Sequence, residues 1–155
     1  MAIQVQERGV KEFTNYVYLR GASGGLIRKM DAHSSVGATG NQTLTIAQLL
    51  TGVIEEDPEG AATWTLPTAA LAVGGMPDDV AVGDCIDFAI INNATTGANE
   101  IVTMAVAAGG TAVGNLLVAG PNVTEDQENS GSALFRIRFT NVTSGSEAYH
   151  VYRLA

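Results

Sequence analysis

The stretch Ala62-Thr63-Trp64-Thr65-Leu66-Pro67-Thr68-Ala69-Ala70-Leu71-Ala72-Val73-Gly74-Gly75, with Cys85-Ile86-Asp87-Phe88-Ala89-Ile90-Ile91 after it, decides the fold class. Polar and apolar residues alternate from Thr63 to Leu66, which puts Trp64 and Leu66 on one face of a strand. Pro67 has a fixed φ and no N–H to donate, so it ends the ladder and opens a short helix. Thr68 to Val73 supply that helix, Gly74-Gly75 stop it, and Pro77-Asp78-Asp79 turn the chain. The segment 85–91 has the strongest strand pattern in the chain, with Ile86, Phe88 and Ile90 on one face. Asp84 and Asn92 share that face and are expected at its ends, where water reaches them. Cys85 is the only cysteine and is expected as a buried, inert thiol.

Working outward, the same alternation recurs. Glu100 to Ala107 alternates with Val102, Met104 and Val106 on one side. Gly109-Gly110 then suits a tight hairpin turn, with Thr111 to Val118 returning antiparallel. Ala133 to Val142 turns Phe135, Ile137 and Phe139 inward and Arg136, Arg138 and Thr140 outward. Ala148 to Leu154 closes the chain as a strand. Before the central stretch, Thr45 caps one helical turn over Ile46 to Leu50, which Gly52 stops. Val53-Ile54-Glu55 is a short strand, and Glu56-Asp57-Pro58-Glu59-Gly60 an exposed acidic turn. Segments 93–99 and 119–131 read as loops. The spacing predicts an all-β single domain, a β-sandwich or jelly roll, over residues 43–155. Residues 1–42 hold too few large apolar residues for a core and are expected as an extended N-terminal arm that packs on a neighbour.

A chain of 155 residues can bury a sizeable core without disulfide or metal. No apolar run is long enough for a membrane helix, so no membrane partner is expected, and no signal-peptide core opens the chain, which points to synthesis in a cytoplasm. Charged residues make up only 15% of the chain, well under the average of about 25%. They are also segregated. Residues 1–42 carry five basic and three acidic residues, a net +2, whereas residues 43–155 carry three basic and thirteen acidic ones, a net −10. An acidic body of this kind argues against nucleic acid as a partner.

The chain shows no catalytic pattern. His33 and His150 have no partner at metal-ligand spacing, so no metal and no cofactor is expected. The acidic runs at 55–59, 78–79 and 125–128 lack the EF-hand spacing and are expected as solvated turns. Asp84 and Asp87 point to opposite strand faces, so they do not form a glycosidase pair. The N-x-[ST] positions Asn41, Asn93, Asn122 and Asn141 arise from an Asn- and Thr-rich composition, the first three marking turns. Arg136 and Arg138 share a strand face, with Arg153 beside them, as intersubunit or solvated charges.

The run Thr43-Leu44-Thr45-Ile46-Ala47-Gln48-Leu49-Leu50-Thr51-Gly52 is followed by Thr65-Leu66-Pro67-Thr68-Ala69 and Val82-Gly83-Asp84. A strand ending Ile91-Asn92-Asn93, then Phe135-Arg136-Ile137-Arg138-Phe139-Thr140-Asn141 and a closing Tyr152-Arg153-Leu154 complete the pattern. Over residues 43–155 this resembles the small β-rich virion proteins of tailed phages, in particular capsid decoration (cement) proteins. The resemblance implies a non-enzymatic homotrimer on the outer capsid surface that braces the major capsid protein. It also extends to phage fibre and tail parts, and a hydrolase or carbohydrate-binding β-sandwich module is the alternative class. The contact residues expected on this reading are Arg8, Lys11, Phe13, Tyr16, Tyr18, Arg20, Arg28 and Lys29 in the arm and Arg136 and Arg138 in the body. A basic, partly apolar arm settling on a shell while an acidic body stays in water accounts for the charge split.

Overall fold

The computed structural model describes residues 17–19, 26–28, 32–37, 39–94, 100–120 and 131–155. The chain divides into two compact units, Met1–Asp31 and Ala32–Ala155. In the first, β1 (Val17–Leu19) and β2 (Leu26–Arg28) pair antiparallel, with Tyr18 opposite Ile27. The second unit takes in the last part of the stretch 1–42 expected as an arm. Its β3 (Ser34–Ser35) and β4 (Gln42–Thr43) are strands of the sheets that follow.

The second unit is mostly β. In chain order come α1 (Ile46–Leu50), β5 (Val53–Glu56), β6 (Ala62–Thr65), α2 (Ala69–Gly74) and β7 (Cys85–Asn92). After these come β8 (Val102–Ala105), β9 (Gly110–Val113), β10 (Leu117–Val118), β11 (Ser132–Asn141) and β12 (Ala148–Arg153). They form a six-stranded sheet in the order β3-β5-β7-β11-β12-β9 and a four-stranded sheet in the order β10-β8-β6-β4. From β3 to β11 successive strands alternate between the two sheets. Up to β8, each strand that returns to a sheet after visiting the other runs in its earlier direction, so β3, β5 and β7 are parallel neighbours, and so are β4, β6 and β8. Antiparallel pairing enters the four-stranded sheet with β10, beside β8, and the six-stranded sheet with β11, which lies between β7 and β12.

Local chemistry explains the short helices. Thr45 accepts a hydrogen bond from the Gln48 N–H at 3.2 Å, and the Gln48 side chain accepts from the Thr45 N–H at 2.8 Å, a complete capping box. Thr68 caps α2 by accepting from the Leu71 N–H at 3.2 Å, directly after Pro67 has ended the β6 ladder.

Inward residues of both sheets join one hydrophobic core. Trp64, Leu66, Phe88, Ile90, Phe135, Ile137, Phe139 and Tyr149 are all fully buried within it. Every second residue of β7 and β11 contributes, as the alternation predicts. The Tyr149 hydroxyl donates to the Pro67 carbonyl at 2.9 Å, and burial pushes its pKa up to about 12. Tyr149 thereby joins β12 to the bend between β6 and α2.

Three expectations change. Gly109-Gly110 does not make a hairpin between β8 and the next strand. The chain crosses to the other sheet, the Tyr149 N–H donates to the Gly109 carbonyl at 3.0 Å, and β9 runs parallel to β12. The antiparallel partner of β8 is β10. Asn92 is buried, not solvated at a strand end. Its side chain donates to the Glu100 carbonyl at 2.7 Å and accepts from the Ala94 N–H at 3.2 Å, so both amide atoms are used to hold the ends of the 93–100 loop. Cys85 is exposed, because the parity that turns Ile86 inward turns its neighbour outward. The centres of the loops expected at 93–99 and 119–131, residues 95–99 and 121–130 with Asn122 among them, lie outside the described residues.

Candidate interaction face

The outward side of the six-stranded sheet gathers the exposed functional groups of the body. Strand register sets them in rows. Asp87, Arg136, Tyr152 and Val113 lie side by side across β7, β11, β12 and β9. Cys85, Arg138, His150 and Thr111 form the next row. On the other side lies an apolar row of Val53, Ala89 and Leu134. Leu154 extends that row, its N–H donating to the Leu134 carbonyl at 2.8 Å. Leu134 is 39% exposed, Leu154 46% and Val113 40%, so large apolar side chains stand open to solvent beside the charged rows.

Arg136 is fixed on this face. Its Nε donates to Asp87 Oδ1 and its Nη2 to Asp87 Oδ2, both at 2.7 Å, a bidentate pair that raises the guanidinium pKa above its ordinary value. Arg138 stands exposed one row away. The two arginines therefore share a face, as expected. Arg153 does not join them. It lies opposite Phe135, on the inward parity, and its Nη1 donates to the Leu117 carbonyl of β10, tying the two sheets at their rim. Of the expected arm contacts, Tyr18 and Arg28 lie on β1 and β2, while Arg8, Lys11, Phe13, Tyr16, Arg20 and Lys29 lie outside the described residues.

The two histidines sit toward opposite edges of the sheet. His33 Nε2 is 3.9 Å from Glu55, and His150 Nδ1 is 3.3 Å from the Tyr152 hydroxyl. The acidic turn is not simply solvated. Glu56 accepts from the Ser35 hydroxyl at 2.5 Å and the Gly37 N–H at 2.9 Å, and Glu55 accepts from the Asn93 side chain at 3.1 Å. Glu56 thus braces the edge of the sheet around β3, and Glu55 ties β5 to the end of β7. Among the described residues no three His, Cys, Asp or Glu side chains converge as metal ligands. No helix there is long and apolar enough to cross a membrane.

The Ser35 and Gly37 hydrogen bonds hold the Glu56 pKa below its ordinary value. A carboxyl depressed in the folded state adds stability above its unfolded pKa, near 4.5, and loses it as pH falls through the lower folded value. Unfolding free energy is therefore expected to drop with acidification below about pH 4.5, and Glu56→Gln to flatten that drop. Urea titrations of both proteins across this range measure it. Parallel acid limbs in the two would contradict the assignment.

No protein-family model, no curated protein and no solved structure matches the chain.

Proposed function

We propose that this chain is a non-enzymatic virion structural protein. In this reading it is a decoration protein that binds the major capsid protein from outside and stabilises the shell. Its second unit is read as a β-sandwich, with the four- and six-stranded sheets facing each other across the common core. The parallel pairs favour this over a jelly roll, which is built from antiparallel strands. The protein acts as a homotrimer, and residues 1–42 include the segment that grips the shell.

The observation that carries the reading is the outward side of the six-stranded sheet. It presents apolar Leu134 and Leu154 beside a rigid Arg136–Asp87 pair and exposed Arg138. An exposed apolar row with a polar margin suits contact with another protein surface. The charge split supports the same reading, and the unit boundary after Asp31 leaves it unchanged. Residues 1–31 still carry five basic and three acidic residues, and the remainder still carries a net −10. A carbohydrate-binding module would present several exposed aromatic rings, whereas of the six aromatic residues whose burial is described Trp64, Phe88, Phe135, Phe139 and Tyr149 are core and Tyr152 alone is partly exposed.

The test is co-sedimentation of the full chain with shells assembled from the major capsid protein of the particle that carries it. The full chain is expected to pellet with the shells. Leu134→Asp combined with Arg138→Glu is expected to weaken binding, and so is reversal of Arg8, Lys11, Arg20, Arg28 and Lys29 to glutamate. If both variants pellet as well as the parent, neither surface is the contact. If the parent stays in the supernatant while a glycan array gives a reproducible hit, the carbohydrate-binding class takes over.

A further inference from the structure

The six-stranded sheet ends in two uncharged edges. One is β9, Gly110-Thr111-Ala112-Val113, and the other is β3, Ser34-Ser35. Open edges in soluble proteins are normally blunted by charge, proline or a bulge. Neither edge strand carries a charge or a proline, and the β3 edge carries one long side-chain contact, Gln48 Nε2 donating to the Ser35 carbonyl at 3.5 Å.

β9 is built to stay extended. The Tyr149 N–H bonds to the Gly109 carbonyl, which sets the parity of the parallel ladder. Residues 109, 111 and 113 turn their backbone polar groups toward β12, and Ala112 turns its own away. Ala112 is exposed although it lies opposite buried Val151, so β9 overhangs the core. The strand is held at its start, where there is no room for side chains on Gly109 or Gly110. An incoming strand would not have to order it first.

Direction and charge select the partner. β3 runs parallel to β5 and β7, and β9 runs parallel to β12. β11 is antiparallel to both β7 and β12, so β3 and β9 point the same way. Every lysine and arginine of residues 32–155 lies in the half of the sheet that ends in β9, Arg153 on the adjacent β12 and Arg136 and Arg138 on β11, one strand further in. β5, beside β3, carries Glu55 and Glu56 and leads into Asp57. A β9 edge meeting a second β9 edge would bring two basic flanks together. A β9 edge meeting a β3 edge brings a basic flank toward an acidic one.

We propose that a second copy of this chain supplies the strand that neither edge has among the described residues: β3 of one protomer adds in parallel to β9 of the next. This is a head-to-tail contact, which closes into a ring when the rotation permits. Its ring size rests on the homotrimer of the proposed function. The test uses no capsids, so shell binding can fail while the ring stands, and the reverse.

The full chain is expected to sediment as a trimer in the micromolar range. Ala112→Pro removes the outward N–H and leaves the bonds to β12 in place, so it should weaken self-association by about tenfold or more with an unchanged far-UV spectrum. Val113→Lys, which puts a charge on the same edge, serves as the second variant should the proline disturb folding. Labelled Ala112→Pro chains keep β3 and should still enter parent oligomers as end caps. A monomeric parent, a parent dimer that excludes the labelled variant, or undiminished trimer in both folded variants would each overturn the proposal.

Discussion

Phe88→Ala is expected to remove about 3–5 kcal/mol of folding stability, the largest loss of any single truncation considered. Phe88 is fully buried on β7, which lies between β5 and β11 in the six-stranded sheet. Its ring stacks on Phe135 of β11, with centroids 5.6 Å apart and planes 25° from parallel. The two residues are also direct cross-strand partners. Truncation therefore removes apolar area from the core and leaves a cavity between β7 and β11 that the sheet hydrogen bonds keep from collapsing. Domains of this size have only about 5–15 kcal/mol in total, so the variant is expected to be marginal at room temperature. Urea unfolding followed by Trp64, the only tryptophan and fully buried, gives the measurement. A change within about 0.5 kcal/mol, the range of ordinary surface substitutions, would show that Phe88 is not a core residue.

The position of Phe88 was legible because it depends on local pattern. Alternation in 85–91 and 133–142 identifies the inward residues without knowledge of which strands pair. The caps at Thr45 and Thr68 are equally local, since each bonds to an N–H three residues away. Cys85 and Arg153 were also within reach. Cys85 has the parity of Asp87, and Arg153 that of Tyr149 and Val151, so consistent use of alternation assigns each to the side where it is found. What the sequence did not carry is pairing across distance. The ion pair of Arg136 with Asp87 needs β11 beside β7, and the bracing of β3 by Glu56 needs the crossover that sets β3 beside β5. Asn92 resembles a solvated strand end until Glu100 and Ala94 supply its partners. The interaction face is partly legible for the same reason: its members can be listed from parity, but their rows come only from register.

The crossover at Gly109 is where local pattern misled, and it gives the second large effect. Asn-Gly-like and Gly-Gly pairs are hairpin signals because both residues tolerate positive φ. Gly109 does use that freedom, at φ +80°, but to turn the chain from β8 across to β12. A Cβ on Gly109 would sit 2.6 Å from the Ala69 Cβ and 2.6 Å from the Glu147 carbonyl oxygen. Neither neighbour can swing aside, because one is the first residue of α2 and the other is backbone. Gly109→Ala thus combines left-handed strain of about 1–2 kcal/mol with overpacking of about 1–3 kcal/mol. Gly114 separates the two terms. It also has positive φ, at +88°, but a Cβ there meets nothing within 4 Å. Gly114→Ala should therefore cost only the backbone term, about 1–2 kcal/mol. Urea unfolding of the three proteins is expected to rank the parent above Gly114→Ala and Gly114→Ala above Gly109→Ala. Equal losses in the two variants would mean that no close packing exists at Gly109, and the route of the chain from β8 to β9 would have to be different.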